Sequence, residues 1–392
     1  MPATPAGHAI EIAPARGWVS GATRWWEALV DEDPRGLVTR LARLGLRGLA
    51  LPYGAGLALN LALYEQGRCP RTRPPLPVVS VGNLSLGGTG KSPTVAYLAR
   101  RLLDRGVVPG VVLRGGGPLR RALELVSDGS ARRREAGLVG DEATMLAEML
   151  PSAPVAVGKR RERVIELLRR RTGAQVALLD DGFQYFRMER LLDLVLVDAT
   201  QAGRRQELFP AGRLREPWSH LRRAHQLWIT HADQVTPAEL ARLEDFLAAY
   251  FPERPAVLTR HRLTGLRGAG GHLHLPADLH GRRLLAVSGL GNPGAFEESL
   301  RQAGAEVLSC RFPDHYPYSP RDLRAIHERQ RQAGAEVVVL TDKDAVKLPV
   351  PAASDWWVAE CALEILRGQD QVEEAVDLAV AAAREYAPAL LA

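Results

Sequence analysis

The chain has 392 residues, of which 46% are hydrophobic and 24% are charged, and its net charge is +6. This balance is typical of a globular protein of about two domains. The cysteines, Cys69, Cys310 and Cys361, are far apart, which argues against a zinc site and a disulfide framework and fits a reducing compartment.

Runs of arginine leave two interpretations open. They stand at 132–134, 159–161 and 169–171. They form either a solvated surface or a surface that attracts an anionic partner such as a nucleotide or a phospholipid. No nucleic-acid motif accompanies them, so nucleic acid is not an expected partner.

Residues 1–35 are rich in proline, glycine and alanine. They lack the basic start and apolar core of a signal peptide. We expect a partly disordered extension there.

The next segment, 36–70, predicts a helix on a membrane surface. No residue from Gly48 to Tyr64 is charged, but this stretch is shorter than the ~20 residues needed to span a bilayer. Arg40, Arg43 and Arg47 recur every three or four residues, so they share one helical face, where they could meet lipid phosphates. Packing on the protein's own core and a true span are the alternatives.

Strands and helices alternate after residue 70. Apolar runs predict strands at 78–81, 111–113, 155–157, 176–179, 194–197 and 227–230, and in a second block at 284–288, 306–309 and 337–341. Helices are expected at 92–105, 142–150, 296–303 and 320–333. Such alternation indicates an α/β fold with a mostly parallel sheet flanked by helices. We expect one domain at 71–235 and a smaller α/β domain at 236–392.

The strongest motif follows the first of these strands. It consists of Ser85, Leu86, Gly87, Gly88, Thr89, Gly90, Lys91 and Ser92. The phosphate-binding P-loop has the pattern G-x-x-x-x-G-K-[ST], in which backbone N–H groups, the lysine and the helix N-terminus hold phosphates and the hydroxyl holds Mg²⁺. Ser85 replaces the first glycine, and a structural glycine turn is the alternative. The motif predicts a P-loop NTPase-like domain.

Acidic residues supply candidates for metal binding and catalysis. Asp180 and Asp181 end an apolar strand, as in a Walker B motif, and because side chains alternate along a strand only one of them is expected to face Mg²⁺. A solvated acidic turn is the alternative. Asp141 and Glu142 begin a predicted helix, where acids serve either as caps or in catalysis. His315 is a lone histidine, structural or catalytic.

Several motifs in a fixed order resemble the tetraacyldisaccharide 4'-kinase family, over about residues 40–350. They are PVVSVGNLSLGGTGKSP (77–93), RGGG (114–117), GDE (140–142), LDDGFQ (179–184), DLVLVDA (193–199), PAGRLREP (210–217), SGLGNPGAF (288–296), FPDHYPY (312–318) and TDKDAVKL (341–348). Two departures affect local substrate contacts: the RGGG segment lacks the family's usual tyrosine, and Tyr185 stands where histidine is usual. Ser92 replaces the commoner threonine but keeps the hydroxyl.

The resemblance implies the site. Asp141 and His315 would form the catalytic base. Lys91, which would contact the β- and γ-phosphates, would be the third catalytic residue. Ser92, Glu142, Asp180 and Asp181 would serve Mg²⁺. Arg114 and Arg215 would neutralise phosphate charge. Closure of the two domains on one site would exclude water.

The resemblance also implies the reaction. ATP, with Mg²⁺, would phosphorylate the 4'-hydroxyl of the disaccharide precursor of lipid A, at the cytoplasmic face of the bacterial inner membrane. No obligate protein partner is expected. One alternative is a P-loop GTPase or metallochaperone, but the sequence at 230–233, Thr-His-Ala-Asp, lacks the lysine of the [NT]-K-x-D signature. The other is a membrane-associated scaffold that binds nucleotide without catalysis.

Overall fold

The computed structural model describes residues 10–11, 21–31, 36–116, 123–130, 136–201, 206–348 and 354–386. Two compact units divide the chain. The P-loop unit comprises Ser20–Arg260 with Ile365–Ala392, and the second unit comprises Met1–Val19 with His261–Glu364. The predicted domain limits after residues 35, 70 and 235 stay predictions. Arg132, Arg133, Arg134 and Gly117 lie outside the described residues, as does most of the predicted extension.

The described elements follow one another as strands and helices of ordinary length. In chain order the strands are β1 (Ile10–Glu11), β2 (Val78–Asn83), β3 (Pro109–Leu113), β4 (Glu124–Asp128), β5 (Pro154–Val157), β6 (Val176–Asp180), β7 (Leu192–Asp198), β8 (Gln226–Thr230), β9 (Val257–Arg267), β10 (Leu273–His274), β11 (Arg283–Ser288), β12 (Glu306–Arg311), β13 (Val337–Thr341) and β14 (Trp356–Arg367). The helices are α1 (Gly21–Asp31), α2 (Leu37–Glu65), α3 (Lys91–Asp104), α4 (Ala136–Val139), α5 (Asp141–Met149), α6 (Arg161–Arg171), α7 (Pro237–Ala248), α8 (Pro293–Gln302), α9 (Pro320–Ala333), α10 (Asp342–Ala345) and α11 (Gln369–Tyr386).

The sheet of the P-loop unit has the order β9-β8-β7-β2-β6-β3-β5-β4. Its described pairs are parallel apart from β4, which runs antiparallel to β5. Strands β2, β3, β6, β7 and β8 are buried along their whole length, which is why their sequences are continuous apolar runs. The predicted α/β class with a mostly parallel sheet is confirmed.

The second unit has the strand order β1-β12-β11-β13-β14-β9, with β10 antiparallel to β9. Helix α9 shows how local sequence sets an element's limits. Ser319 accepts from the backbone N–H of Asp322 and Asp322 from that of Ser319, a capping box, and Gly334 ends the helix with φ 62°. Such a box satisfies helix N–H groups that would otherwise lack partners.

Helix α2 is long, apolar and largely exposed. Its 29 residues are long and apolar enough to cross a membrane, and only 6% of its most apolar window is buried. The prediction that the arginine stripe faces lipid is wrong for Arg43, which is only 4% exposed. The Arg47 side chain is 55% exposed and also pairs with Glu207. These arginines lie at or beside the narrow strip through which the helix contacts its own unit.

Candidate active site

The phosphate-binding loop lies between β2 and α3, at the carboxyl edge of the parallel sheet. Gly87 has φ 114° and Gly90 has φ 83°, backbone conformations that glycine adopts without the strain a side chain would cause. Lys91 and Ser92 open α3. The backbone N–H groups of the loop and the positive end of α3 therefore form an anion site.

Hydrogen bonds hold the loop from behind. The Asn83 side-chain amide donates to Thr89 Oγ1 at 2.8 Å. Thr230, at the end of β8, donates from its hydroxyl to the carbonyl of Thr89 at 3.1 Å. Gln201 reaches the carbonyl of Gly88 at 3.4 Å. Neighbouring strands thus fix the loop before any nucleotide binds.

Asp180 ends β6 beneath this loop and is only 4% exposed. Its Oδ2 accepts a hydrogen bond from the Ser92 hydroxyl at 2.8 Å. Burial, and then the negative charge of Glu142, raise the pKa of Asp180 to about 7, so a nearby cation would strongly favour the ionised form.

These side chains fit Mg²⁺. Among the described residues no group of three or more His, Cys, Asp or Glu could hold a metal ion. Mg²⁺ in phosphate-transfer sites is usually held by only one or two carboxylates together with phosphate oxygens and waters. The Ser92 hydroxyl, Asp180 and the nearby Glu142 match that donor set.

Asp181 faces different partners from its neighbour. Its carboxylate accepts two hydrogen bonds from the Arg215 guanidinium, at 2.9 and 2.7 Å, and lies 3.7 Å from Lys91 Nζ. Partial burial acts to raise the pKa of Asp181, but the Arg215 hydrogen bonds and the charges of Lys91, Arg215 and Arg161 lower it below its usual range. Its φ of 59° is uncommon for a residue other than glycine.

Arg161 was not among the predicted site residues; it belongs to the basic run 159–161, for which the sequence left both a solvated surface and an anionic partner open. It begins α6 and is only 6% exposed. Burial lowers its pKa, and the charges of Tyr185, Asp181 and Asp180 oppose that shift while Arg114 adds to it. Its guanidinium lies 5.2 Å from the centre of the Tyr185 ring. A buried arginine among carboxylates adds positive charge beside the candidate phosphate site.

The RGGG and GDE segments meet through their glycines. The N–H of Gly116 donates to the carbonyl of Val139 at 2.8 Å. Gly140 has φ 103°, and a Cβ there would lie 2.9 Å from the nitrogen of Gly116. This contact requires glycine at position 140, and it places Asp141 at the start of α5, where its carboxylate accepts from the backbone N–H of Glu142 at 3.0 Å.

His315 belongs to the second unit. Its side chain is 51% exposed, and its Nε2 lies 3.8 Å from Asp314 Oδ2. Lys343 also binds Asp314, at 2.9 Å. His315 has φ 59°, a strained conformation that is most often found at functional sites. Asp141 belongs to the P-loop unit, so the predicted pairing of Asp141 with His315 stays a prediction.

A P-loop that follows a buried parallel strand, with an aspartate of the adjacent strand bonded to its Ser92, is the arrangement found in P-loop nucleotide-binding proteins, which include kinases, ATPases and GTPases. The chain matches the model of the family described as tetraacyldisaccharide-1-P 4'-kinase over residues 42–381. It therefore belongs to that family. The predicted resemblance is confirmed, and so is the prediction of a kinase.

Individual relatives agree with the family match. The tetraacyldisaccharide 4'-kinase of Anaeromyxobacter sp. (strain K) is 39% identical over 371 residues, which cover 93% of this chain and 97% of the relative. That of Halothermothrix orenii is 34% identical over 332 residues, 81% of this chain and 86% of the relative.

A solved structure shares the fold. LpxK from Aquifex aeolicus in complex with ATP matches with a TM-score of 0.69 and 27% identity, over 86% of this chain and 99% of that one. The predicted P-loop NTPase-like fold and the use of ATP agree with this match. The protein is thus an ATP-dependent kinase of lipid A biosynthesis.

Proposed function

We propose that the chain transfers the γ-phosphate of ATP to the 4'-hydroxyl of the tetraacyldisaccharide 1-phosphate precursor of lipid A. The observation that carries this proposal is the linked set around the loop: Ser92 bonded to Asp180, and Asp181 bonded to Arg215 and close to Lys91. These groups supply the positive charge and the metal-binding oxygens that phosphoryl transfer needs. Family membership and the relatives' names support the choice of acceptor.

Each group in the P-loop unit has a separate role in this proposal. Lys91 contacts the β- and γ-phosphates, and residues 85–92 hold the phosphates through the backbone. Ser92, Asp180 and Glu142 would hold Mg²⁺, which would supply positive charge to neutralise the phosphates. Asp181 keeps Lys91 and Arg215 oriented.

Positive side chains complete the phosphate site. Arg215 bonds Asp181, and Arg161 is buried near Asp180, Asp181 and Arg114, the first residue of the RGGG segment. We assign them to stabilisation of the phosphoryl group in transfer, since fixed positive charge in a partly dry site stabilises a developing charge better than water does. Arg161 is thus added to Arg114 and Arg215, the two arginines that the sequence predicted to neutralise phosphate charge.

The acceptor hydroxyl requires a base. From the resemblance, we assign proton removal to His315 together with Asp141. A histidine titrates near neutral pH and accepts a proton efficiently as the bond to phosphorus forms. His315 has an exposed side chain, so it is accessible to a large substrate.

Helix α2 is proposed to hold the enzyme on the cytoplasmic face of the inner membrane. Its exposed surface carries a set of large apolar side chains: Leu37, Val38, Leu41, Leu44, Leu49, Leu51 and Leu59. Contacts from Arg47 to Glu207 and from Tyr53 to Arg215 attach the helix to the P-loop unit. A helix attached along one side favours burial in the membrane surface over a span surrounded by lipid.

A phosphorylation assay tests the function. The full chain is incubated with ATP labelled at the γ-phosphate and a membrane lipid extract, and the lipid fraction is chromatographed. We expect label in a disaccharide lipid, and none with Lys91→Ala. Label found only in free phosphate would contradict the kinase assignment. GTP in place of ATP tests the GTPase alternative, and we expect ATP to be the better donor.

A further inference from the structure

The segment 207–216, here called the 207–216 loop, contacts helix α2 on one side. Arg47 Nε donates to Glu207 at 3.1 Å. The rings of Tyr53 and Phe209 meet edge to face with centroids 5.8 Å apart. The helix comes so close at Gly54 that a Cβ there would lie 3.2 Å from the Leu208 side chain.

The same loop pairs with the phosphate-binding loop on its other side. The backbone N–H of Leu86 donates to the carbonyl of Arg213 at 2.7 Å. The N–H of Arg215 donates to the carbonyl of Leu84, also at 2.7 Å. Ser85 and Leu214 form an antiparallel bridge between these two bonds. The 207–216 loop therefore lies between the apolar helix and the start of the P-loop.

Internal contacts make the 207–216 loop stiff. The N–H of Leu214 donates to the carbonyl of Glu207 at 3.0 Å, and that of Phe209 donates to Leu214 at 2.8 Å. A Cβ at Gly212 would lie 2.2 Å from the carbonyl oxygen of Glu207, so the turn closes only with glycine there. The indole N–H of Trp26 in α1 donates to the carbonyl of Pro210 at 2.7 Å.

One hydrogen bond links the helix directly to the residue that binds Asp181. The Tyr53 hydroxyl donates to the backbone carbonyl of Arg215 at 2.9 Å. Both the N–H and the carbonyl of Arg215 are therefore held. Its guanidinium can then bond Asp181 at 2.7 and 2.9 Å and the carbonyl of Asn83, the last residue of β2, at 3.2 Å.

We propose that Tyr53 is a positioning residue for phosphoryl transfer, which holds the Arg215 peptide so that the guanidinium stays directed at Asp181 and the P-loop. Helix α2 is then a structural part of the phosphate site as well as the membrane attachment. The inference rests on the proposed role of Arg215 in neutralising phosphate charge. A small displacement of a charged group near the reacting phosphate lowers the rate strongly.

Tyr53→Phe removes the hydroxyl and keeps the ring against Phe209. The full chain is assayed with the disaccharide lipid in mixed micelles. We expect kcat/KM for ATP to fall about fivefold, the effect of one lost hydrogen bond. Tyr64→Phe makes the same change on the same helix, where the ring packs on Phe186 with centroids 5.9 Å apart. We expect this control to stay within about twofold of the wild type.

A double-mutant cycle separates positioning from general support of the fold. In an Arg215→Ala background, Tyr53→Phe should change kcat/KM by less than about twofold, because the group that Tyr53 positions is gone. Cosedimentation with phosphatidylethanolamine–phosphatidylglycerol vesicles should be the same for Tyr53→Phe and the wild type.

Four outcomes would overturn the inference. The first is a loss of kcat/KM from Tyr53→Phe that is equal in the wild-type and Arg215→Ala backgrounds. The second is a loss of kcat/KM in Tyr53→Phe that is accompanied by weaker vesicle binding. The third is normal activity of Tyr53→Phe beside an impaired Arg215→Ala, which would leave the proposed function intact. Normal activity of Arg215→Ala would instead remove the assigned role of Arg215, and the inference with it.

Discussion

The phosphate-binding region and the loop that carries His315 differ in how firmly their functional side chains are held. In the first, Asp180 is 4% exposed and bonded to Ser92, and Asp181 is bonded to Arg215. In the second, the His315 side chain is 51% exposed, and its Nε2 lies 3.8 Å from Asp314 Oδ2. The charged side chains around the phosphate-binding loop are thus held by burial and hydrogen bonds, whereas the side chain of His315 is half exposed.

Charge explains this difference. Several like-charged groups cannot stay close together in a partly buried site unless each is paired, because an unpaired buried charge is costly. The opposite charges of Lys91, Arg215, Asp181 and Asp180 therefore stabilise one another in this site. The side chain of His315 is half exposed, so water solvates much of it.

The largest effect is expected from the P-loop lysine. Lys91→Ala should lower kcat/KM by about 10³-fold, because it removes a fixed positive charge at the β- and γ-phosphates. The measurement is the initial rate of lipid phosphorylation at several ATP concentrations. Lys159→Ala, at an exposed lysine of the same unit, is the control. Equal activity of the two variants would contradict the phosphate-binding assignment.

His315→Ala tests the proposed role of His315 in the general base. Loss of a general base should lower kcat by about 10²-fold or more and leave ATP affinity within about twofold. Turnover and the calorimetric dissociation constant of ATP are measured on the same preparation. His272→Ala, at an exposed histidine of the same unit, should behave as the wild type. A variant that binds ATP poorly instead would place His315 in nucleotide binding.

Asp180→Asn tests whether the buried carboxylate serves Mg²⁺. Because the amide keeps the shape but loses the charge, the Mg²⁺ concentration for half-maximal activity should rise by at least about tenfold. A titration with MgCl₂ at fixed ATP measures this midpoint. Asp128→Asn, at a partly exposed aspartate of the same unit, is the control. An unchanged midpoint would exclude Asp180 as a ligand.

The surface of α2 should govern attachment to lipid. Leu44 and Leu51 are 64% and 74% exposed, and replacing both with serine should weaken vesicle binding by about tenfold or more, since each leucine contributes about 1.5–3 kcal/mol when buried in an apolar medium. Cosedimentation measures the binding. The matched control replaces Leu273 and Leu275, which are 65% and 66% exposed in the second unit. If vesicle binding weakened equally in the two double variants, the exposed face of α2 would not be a specific membrane-binding surface.

The smallest expected effect is on stability. Gly140→Ala forces a side chain into φ 103° and against Gly116, and it should destabilise the fold by about 1–3 kcal/mol. Thermal unfolding followed by circular dichroism measures the change. Gly173→Ala, where no atom lies within 4 Å of the new Cβ, should leave the unfolding temperature nearly unchanged. An unchanged stability of Gly140→Ala would mean that α5 shifts freely.

Local chemistry made several features predictable. The buried strands of the P-loop unit are continuous apolar runs, and all those predicted from the runs at 78–81, 111–113, 155–157, 176–179, 194–197 and 227–230 are present. The P-loop is a single short segment whose glycines and lysine are all needed in one turn. Its position at the carboxyl end of a parallel strand then follows from the order of elements.

Other features had weaker signals. Strand β9 lies in the region 231–283, where no motif was recognised, and β14 and α11 were likewise not predicted. Helix α11 belongs to the P-loop unit although it ends the chain, with Glu373 paired to Arg101 and Arg105. The packing of α11 against elements that come much earlier in the chain depends on long-range contacts, which no local sequence pattern encodes.

The sequence by itself determined the α/β class, the phosphate-binding loop and the family, because each depends on a short segment or on the order of segments. Only the tertiary structure decided the partners of charged groups: Asp180 with Ser92, Asp181 with Arg215, Arg161 buried near both, and Arg47 with Glu207. The physical reason is that the free energy of a charge depends on burial and on groups distant in the chain, which come together only when the sheet and its loops are assembled.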